Sequence, residues 1–190
     1  MSAARHGFKS VGRPLDAFCA PEAYNLINPM PQPDRFVDTR EVLLDFAGEC
    51  LVVCPACEAC ARVVPKDARE GRWSGARRLV CVSCGLIRET GAARGGQDGE
   101  DPFFGLPLWL RAPCCGETLW AYNRRHLELL RAFLGAKLRE QERDPEFGWS
   151  NRSLTNRLPG WMKSAQNRSE VVRVIEKLFE KLDWKAEGKD

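Results

Sequence analysis

Cys54-Pro55-Ala56-Cys57 and Cys81-Val82-Ser83-Cys84-Gly85 are the two stretches on which the reading of this chain turns. Two residues between cysteines let both thiolates of a pair face one ion from a tight turn, with backbone N–H groups aimed at sulfur. Gly85, directly after the second pair, suits a backbone conformation that a Cβ disfavours. Two such turns make a closed tetrahedral set of four sulfurs, which suits Zn2+. Four thiolates leave no open coordination position, so a zinc held this way is structural and not catalytic. An iron site of the rubredoxin kind uses similar knuckles. Residues 58–80 separate the pairs, slightly more than the ~15–20 residues usual for such sites, and a longer hairpin absorbs the difference.

Around the turns the chain reads as short strands, at 51–53, 61–64, 78–82 and 86–88. They are rich in β-branched residues and end at Pro or Gly. Knuckles and strands together, over residues 51–90, resemble a zinc ribbon of the transcription-factor-IIB type and the rubredoxin-like knuckles of many small bacterial proteins. A wider stretch runs from Asp101-Pro102-Phe103-Phe104-Gly105-Leu106-Pro107-Leu108-Trp109-Leu110 through Cys114-Cys115-Gly116 to Leu119-Trp120-Ala121-Tyr122-Asn123-Arg124-Arg125-His126-Leu127. It resembles an uncharacterised bacterial group of zinc ribbon-containing proteins. That resemblance covers most of the chain and implies no established activity. Zinc ribbons serve transcription, translation, replication and protein docking alike, so the fold does not name the function.

Some ribbons that act inside RNA polymerase carry an acidic pair at the hairpin tip. Here the corresponding loop, Glu70-Gly71-Arg72-Trp73-Ser74-Gly75-Ala76-Arg77-Arg78, is basic and aromatic. The departure argues against a transcript-cleavage role. It suits contact with phosphate through Arg72, Arg77 and Arg78, with Trp73 stacking on a base. The bland alternative is a solvated hairpin with the tryptophan folded onto the ribbon.

The chain has nine cysteines. Cys60 repeats the same spacing after Cys57, but residues 52–53 lead into Cys54 as a strand would, so Cys54 and Cys57 are the expected ligands and Cys60 a bystander. Cys114 and Cys115 are adjacent, and adjacent side chains diverge. The bland reading is a buried turn, against a second site with Cys60 and His126 or a Cys115–His126 nucleophilic pair. The latter needs a lowered thiol pKa and an orienting third group, and nothing marks one. His126-Leu127-Glu128 lacks the downstream Pro-Cys-x-x-Cys of the zinc deaminases.

Composition sets the frame. The 190 residues are 44% hydrophobic and 29% charged, with 29 basic and 26 acidic side chains, the profile of a globular chain. A net charge of +3 is too balanced to argue for nucleic acid by itself. No run of about 18 apolar residues marks a membrane span. Met1–Ser10 is basic with no apolar stretch after it, so no secretory signal is expected. A reducing cytoplasm is expected, where paired cysteines read first as metal ligands.

The expected organisation has four parts: a proline-rich arm with a short helix over 1–46, capped by Asp38 with Glu41; the ribbon over 47–92; a flexible loop over 93–101; and a hairpin plus helical region over 102–190. The hairpin should use 106–112 and 117–122. A helix of about five turns should start at Asn123 and run past Leu138 to Asp144-Pro145. A short helix at 158–163 and a long one after Asn167 should follow. The tryptophans read as packing anchors, and the basic face of the last helix (Arg173, Lys177, Lys181, Lys185) as an ordinary solvated face, with a phosphate-facing strip as the alternative. The predicted class is α+β, a small antiparallel zinc-ribbon sheet extended by a hairpin and packed with C-terminal helices. The expected function is that of a non-enzymatic, zinc-binding accessory protein, associated with nucleic acid or transcription, or else a protein–protein adaptor.

Overall fold

The structure, a computed structural model, describes residues 35–67, 75–91, 93, 95–140 and 152–186, with 184–186 in backbone only. The expectations for the arm over 1–34, and those for Arg72, Trp73 and Trp149, lie outside the described residues. Side-chain alternation builds the main sheet. Strands β1 (Arg35–Val37), β2 (Cys50–Val53), β3 (Cys60–Pro65), β4 (Arg77–Val80) and β5 (Ile87–Thr90) come first, and β2-β3-β4-β5 pair antiparallel in that order. On β2, β3 and β4 alternate side chains turn inward, as the pleat requires. The register stacks them: Cys50 faces Val63, Val52 faces Ala61, and Val63 faces Leu79. The class is α+β, as the patterns indicate.

A second hairpin, β6 (Leu110–Cys114) and β7 (Glu117–Ala121), closes through Cys115 and Gly116. Their φ values of 53° and 81° are those of a two-residue type I′ turn. The hairpin begins later than expected, because residues 106–109 run along β2 instead. Val53 N–H donates to Pro107 O at 2.8 Å, Trp109 N–H to Leu51 O at 2.9 Å, and Leu51 N–H to Tyr122 O at 2.8 Å. The ribbon is thus extended through hydrogen bonds to a separate two-stranded sheet.

Helix α1 (Arg124–Gly135) starts at the expected cap, where Asn123 Oδ1 accepts the His126 N–H at 3.0 Å. Its end is a correction. The apolar spacing predicts continuation through Leu138, yet Leu138 is 57% exposed and lies on β8 (Leu138–Glu140), parallel to β1. Gly135 is a weak helix former, and Ala136 takes an extended backbone (φ −65°, ψ 138°). The Arg168 guanidinium donates to Gly135 O at 2.6 Å and also to Ala136 O, satisfying carbonyls that helix ends otherwise leave open.

Helices α2 (Leu154–Arg157), α3 (Gly160–Lys163) and α4 (Arg168–Ala186) complete the chain. Val171, Val174, Ile175, Leu178 and Phe179 are buried on α4, as their spacing predicts. This face packs on α1 and β6. Of its basic residues, Arg173 pairs with Glu170, while Lys181 donates to Trp109 O at 2.7 Å and lies 4.0 Å over that ring.

Two carboxylates do work that local patterns do not show. Asp38 is no helix cap: the helix is a single 3-10 turn, Leu43–Phe46, entered at Val42. Asp38 is buried instead, and its Oδ2 accepts Ser153 Oγ at 2.6 Å and Thr155 Oγ1 at 2.7 Å, tying the end of the arm to the start of α2. The second carboxylate stands where the glycine-rich loop ends. Asp101, fully buried at its end, accepts backbone N–H groups of Phe103, Phe104 and Leu106 at 3.0, 2.9 and 2.7 Å.

Arg77 is a further correction. It shares the inner face of β4 with Leu79, is 1% exposed, and sets its guanidinium 4.4 Å from the Phe103 ring centroid. Neighbouring Arg78 points to the other face, where its Nη2 lies 2.9 Å from Glu89 Oε1, and Lys66 Nζ is 2.7 Å from Glu89 Oε2. Arg77→Ala should therefore destabilise the fold by roughly 2–4 kcal/mol, through lost packing and a lost cation–π contact. Arg78→Ala, at a water-exposed pair, should change stability little. Chemical denaturation of the metal-loaded variants checks both.

Candidate metal centre

The sheet places the two cysteine turns side by side. The first turn links β2 to β3 and the second links β4 to β5, so both hairpin ends emerge at the same end of the sheet. The two turns share one hydrogen-bond pattern. Cys54 N–H donates to Ala59 O at 2.8 Å and Glu58 N–H to Cys54 O at 2.9 Å. In the second turn, Cys81 N–H donates to Leu86 O and Gly85 N–H to Cys81 O, both at 2.9 Å. Each turn presents its first cysteine buried and its second exposed.

The four sulfurs of Cys54, Cys57, Cys81 and Cys84 all lie within 4.8 Å of one another. Across the two turns, Cys54 Sγ is 3.7 Å from Cys84 Sγ and Cys57 Sγ is 3.6 Å from Cys81 Sγ. An ion with sulfur at ~2.3 Å in a tetrahedron sets sulfur–sulfur edges of about 3.8 Å. The donor set therefore has the spacing that a tetrahedral thiolate-bound ion requires, and the four residues can hold a metal ion.

The electrostatics agree with that use. At Cys54 desolvation opposes ionisation, but the N–H groups of Ala56 and Cys57 and the neighbouring thiols outweigh it and bring the pKa down to about 7. The Ala56 N–H to Cys54 Sγ distance is 3.5 Å. At Cys57 the Ala59 N–H favours the thiolate, yet desolvation and the sulfurs of Cys84, Cys81 and Cys54 push its pKa up to about 12. Cys84 is raised as well: N–H of Leu86 and the Cys57 thiol lower it, and desolvation with Cys81 and Cys54 prevails. Four thiols this close resist collecting four negative charges, and a dication removes that resistance.

The remaining cysteines stay apart from this set. Cys60 lies on β3 opposite Val53. Cys114 and Cys115 sit at the hairpin tip with sulfurs 3.8 Å apart, and burial first, then Cys115, pushes Cys114 up to about 12. Burial holds the Cys50 thiol protonated, well above its ordinary range. His126 is 2% exposed on α1, stacked on Phe46 at 5.0 Å. Among the described residues only the four-cysteine set is grouped for a metal, so nothing there assembles a second site from Cys60, Cys114, Cys115 and His126. No disulfide joins the described cysteines.

Of the four residues expected at the nucleic-acid tip, the structure places two. Arg77 is turned into the core, which removes it from any phosphate contact, and Arg78 is held by Glu89. The period-two pleat already contained this result, since adjacent strand residues face opposite ways. The chain matches no family model, no curated protein and no solved structure.

One backbone position in the first turn escaped the sequence reading. Glu58 has a φ of 59°, and Gly85, its counterpart in the second turn, has 74°. Laying Cys54-x-x-Cys57-Glu58 over Cys81-x-x-Cys84-Gly85 would have flagged it. A left-handed backbone costs an L residue roughly 1–2 kcal/mol, partly offset by glycine's larger entropy loss on folding. Glu58→Gly should therefore stabilise the metal-loaded protein by about 0.5–1 kcal/mol, and Gly85→Ala should destabilise it by roughly 1 kcal/mol. Denaturant midpoints at saturating metal check the opposite signs.

Proposed function

We propose that this chain is a zinc-binding accessory protein, non-enzymatic, whose Cys54, Cys57, Cys81 and Cys84 centre is structural and which acts by docking a protein partner. The observation that carries the metal reading is the pair of sulfur–sulfur distances, 3.7 and 3.6 Å, against a tetrahedral edge of about 3.8 Å. Resemblance of the knuckles to zinc ribbons supports zinc as the ion. All four positions are filled by protein thiolates, so the ion supplies shape and not a Lewis-acid site. A reducing compartment such as the cytoplasm suits thiolate ligands. Among the described residues, no helix is long and apolar enough to cross a membrane.

Docking is favoured by what lies beside the centre. Val82, inside the second turn, is 53% exposed, and Ile87, at the start of β5, is 62% exposed. β5 is an outer strand of the sheet order and is mostly exposed, so its backbone edge offers hydrogen bonds to a partner strand. The second reading is nucleic-acid binding. It rests on Arg72 and Trp73 in the β3–β4 connection, with Arg77 and Arg78 engaged within the protein.

Purified protein should contain about one zinc per chain. Cys81→Ser with Cys84→Ser should lose it together with the cooperative melt of the ribbon, because metal binding and folding are coupled. Release should also grow as pH falls, since each thiolate takes up a proton when the ion leaves. Metal analysis and thermal melts read this; iron in place of zinc, or full metal in the double variant, would overturn the assignment.

Zinc-loaded protein titrated with single-stranded DNA, duplex DNA and RNA, at low and physiological salt, separates the two partner readings. Docking through an apolar face predicts no salt-sensitive nucleic-acid binding. Micromolar binding that weakens steeply with salt, and weakens further for Arg72→Ala with Trp73→Ala, would replace docking by the nucleic-acid reading.

A further inference from the structure

Away from the cysteine centre, a cavity of about 370 Å³ opens between hairpin β6–β7, α1 and the α2–α3 segment. Its volume lies in the range of small-molecule sites. Leu130, Leu158 and Met162 line it with apolar surface, and Trp120 and Trp161 add flat aromatic walls. It shares no residue with the metal centre.

His126 also lines this cavity, although its side chain is 2% exposed overall. Its ring is held on several sides: Phe46 stacks on it at 5.0 Å, the Trp120 and Tyr122 rings meet it edge-on at 5.7 and 5.8 Å, and Nδ1 accepts the Tyr122 N–H at 3.2 Å. Burial keeps the imidazole neutral, its pKa lowered to about 3. With Nδ1 acting as acceptor, the single proton sits on Nε2. The hydrogen bonds of His126 run through Nδ1 and its backbone N–H, and none uses Nε2 among the described residues. Nor is Nε2 among their fully sealed polar atoms that lack a hydrogen bond. A fixed N–H donor on a buried side chain therefore stands at a cavity whose inner walls are largely apolar, where an unmatched donor is costly.

Charge at the rim is divided by element. Asp98 and Glu117 stand on the hairpin side, and Arg152 and Arg157 on the α2 side. All four are exposed. Asp98, Glu117 and Arg157 form no ion pair among the described residues. A purely anionic ligand would meet the two carboxylates, and a purely cationic one the two guanidiniums. A zwitterion satisfies both.

We propose that this cavity binds an aromatic α-amino acid whose ring carries a hydrogen-bond acceptor. The ring lies against Trp120 and Trp161, the acceptor takes the His126 Nε2–H, the carboxylate meets Arg157 and the ammonium meets Glu117.

The test is calorimetric titration of the metal-loaded full chain with four probes: L-tyrosine, 3-(4-hydroxyphenyl)propionate, tyramine and L-phenylalanine. These remove in turn the ammonium, the carboxylate and the acceptor hydroxyl. L-Tyrosine should bind tightest, with each truncation losing about tenfold or more. Arg157→Gln, at an exposed position, should keep the native melt. It should weaken L-tyrosine and 3-(4-hydroxyphenyl)propionate by about tenfold while leaving tyramine unchanged. Glu117→Gln should weaken L-tyrosine and tyramine and spare the propionate. No binding of any probe at millimolar concentration would overturn the proposal. So would equal binding of all four, or L-tyrosine binding indifferent to both rim variants.

Discussion

Four thiols gathered within 4.8 Å of one another are the constraint on which the sheet depends. Their mutual repulsion as thiolates can be relieved by one dication, and relief at that point joins two turns that are far apart in sequence. Cys54 and Cys84 belong to different hairpins, as do Cys57 and Cys81, and their sulfurs approach to 3.7 and 3.6 Å. A strand pair such as β4–β5, with an exposed β5, buries little apolar surface of its own. A shared ion at its turn would supply the cross-link that its core cannot. The proposed role follows from this economy, because a saturated ion gives rigidity to a surface and no reactivity.

Buried polar groups then align the parts that the sheet does not reach. Asp38 gathers two hydroxyls from the start of α2, Asp101 gathers three backbone N–H groups, and Asn123 Nδ2 reaches Phe46 O and Glu49 O at 2.8 Å each. Each carboxylate or amide replaces water with several protein partners, which makes its position specific as well as tolerable. His126 gives the proposed cavity its chemistry: one ring nitrogen accepts a backbone N–H, and the other has no hydrogen bond among the described residues.

Charge in this chain is a poor guide to partners when it is counted without its neighbours. The β3–β4 hairpin is basic in sequence, yet Arg77 lies against Phe103 in the core and Arg78 meets Glu89 across the strands. On α4, Arg173 is held by Glu170 and Lys181 by Trp109. A patch offered to phosphate needs cations that are both exposed and uncommitted, and pairing in three dimensions decides which remain so.

The sequence by itself determined the four cysteines that gather within 4.8 Å of one another, the α+β class, the strands around the cysteine turns, the Asn123 cap and the buried face of α4. These are legible because they depend on spacing: two residues between thiols, two per pleat, and three to four per helical turn. Arg77's burial was legible in the same way, through its offset of two from Leu79. What only the tertiary structure decided has no period. The end of α1 at Gly135 depends on a guanidinium from Arg168, the role of Asp38 on hydroxyls more than a hundred residues away, and the cavity on three elements meeting beside a buried histidine. Such features are set by which distant groups satisfy a hydrogen bond, and a local pattern carries no record of a distant donor.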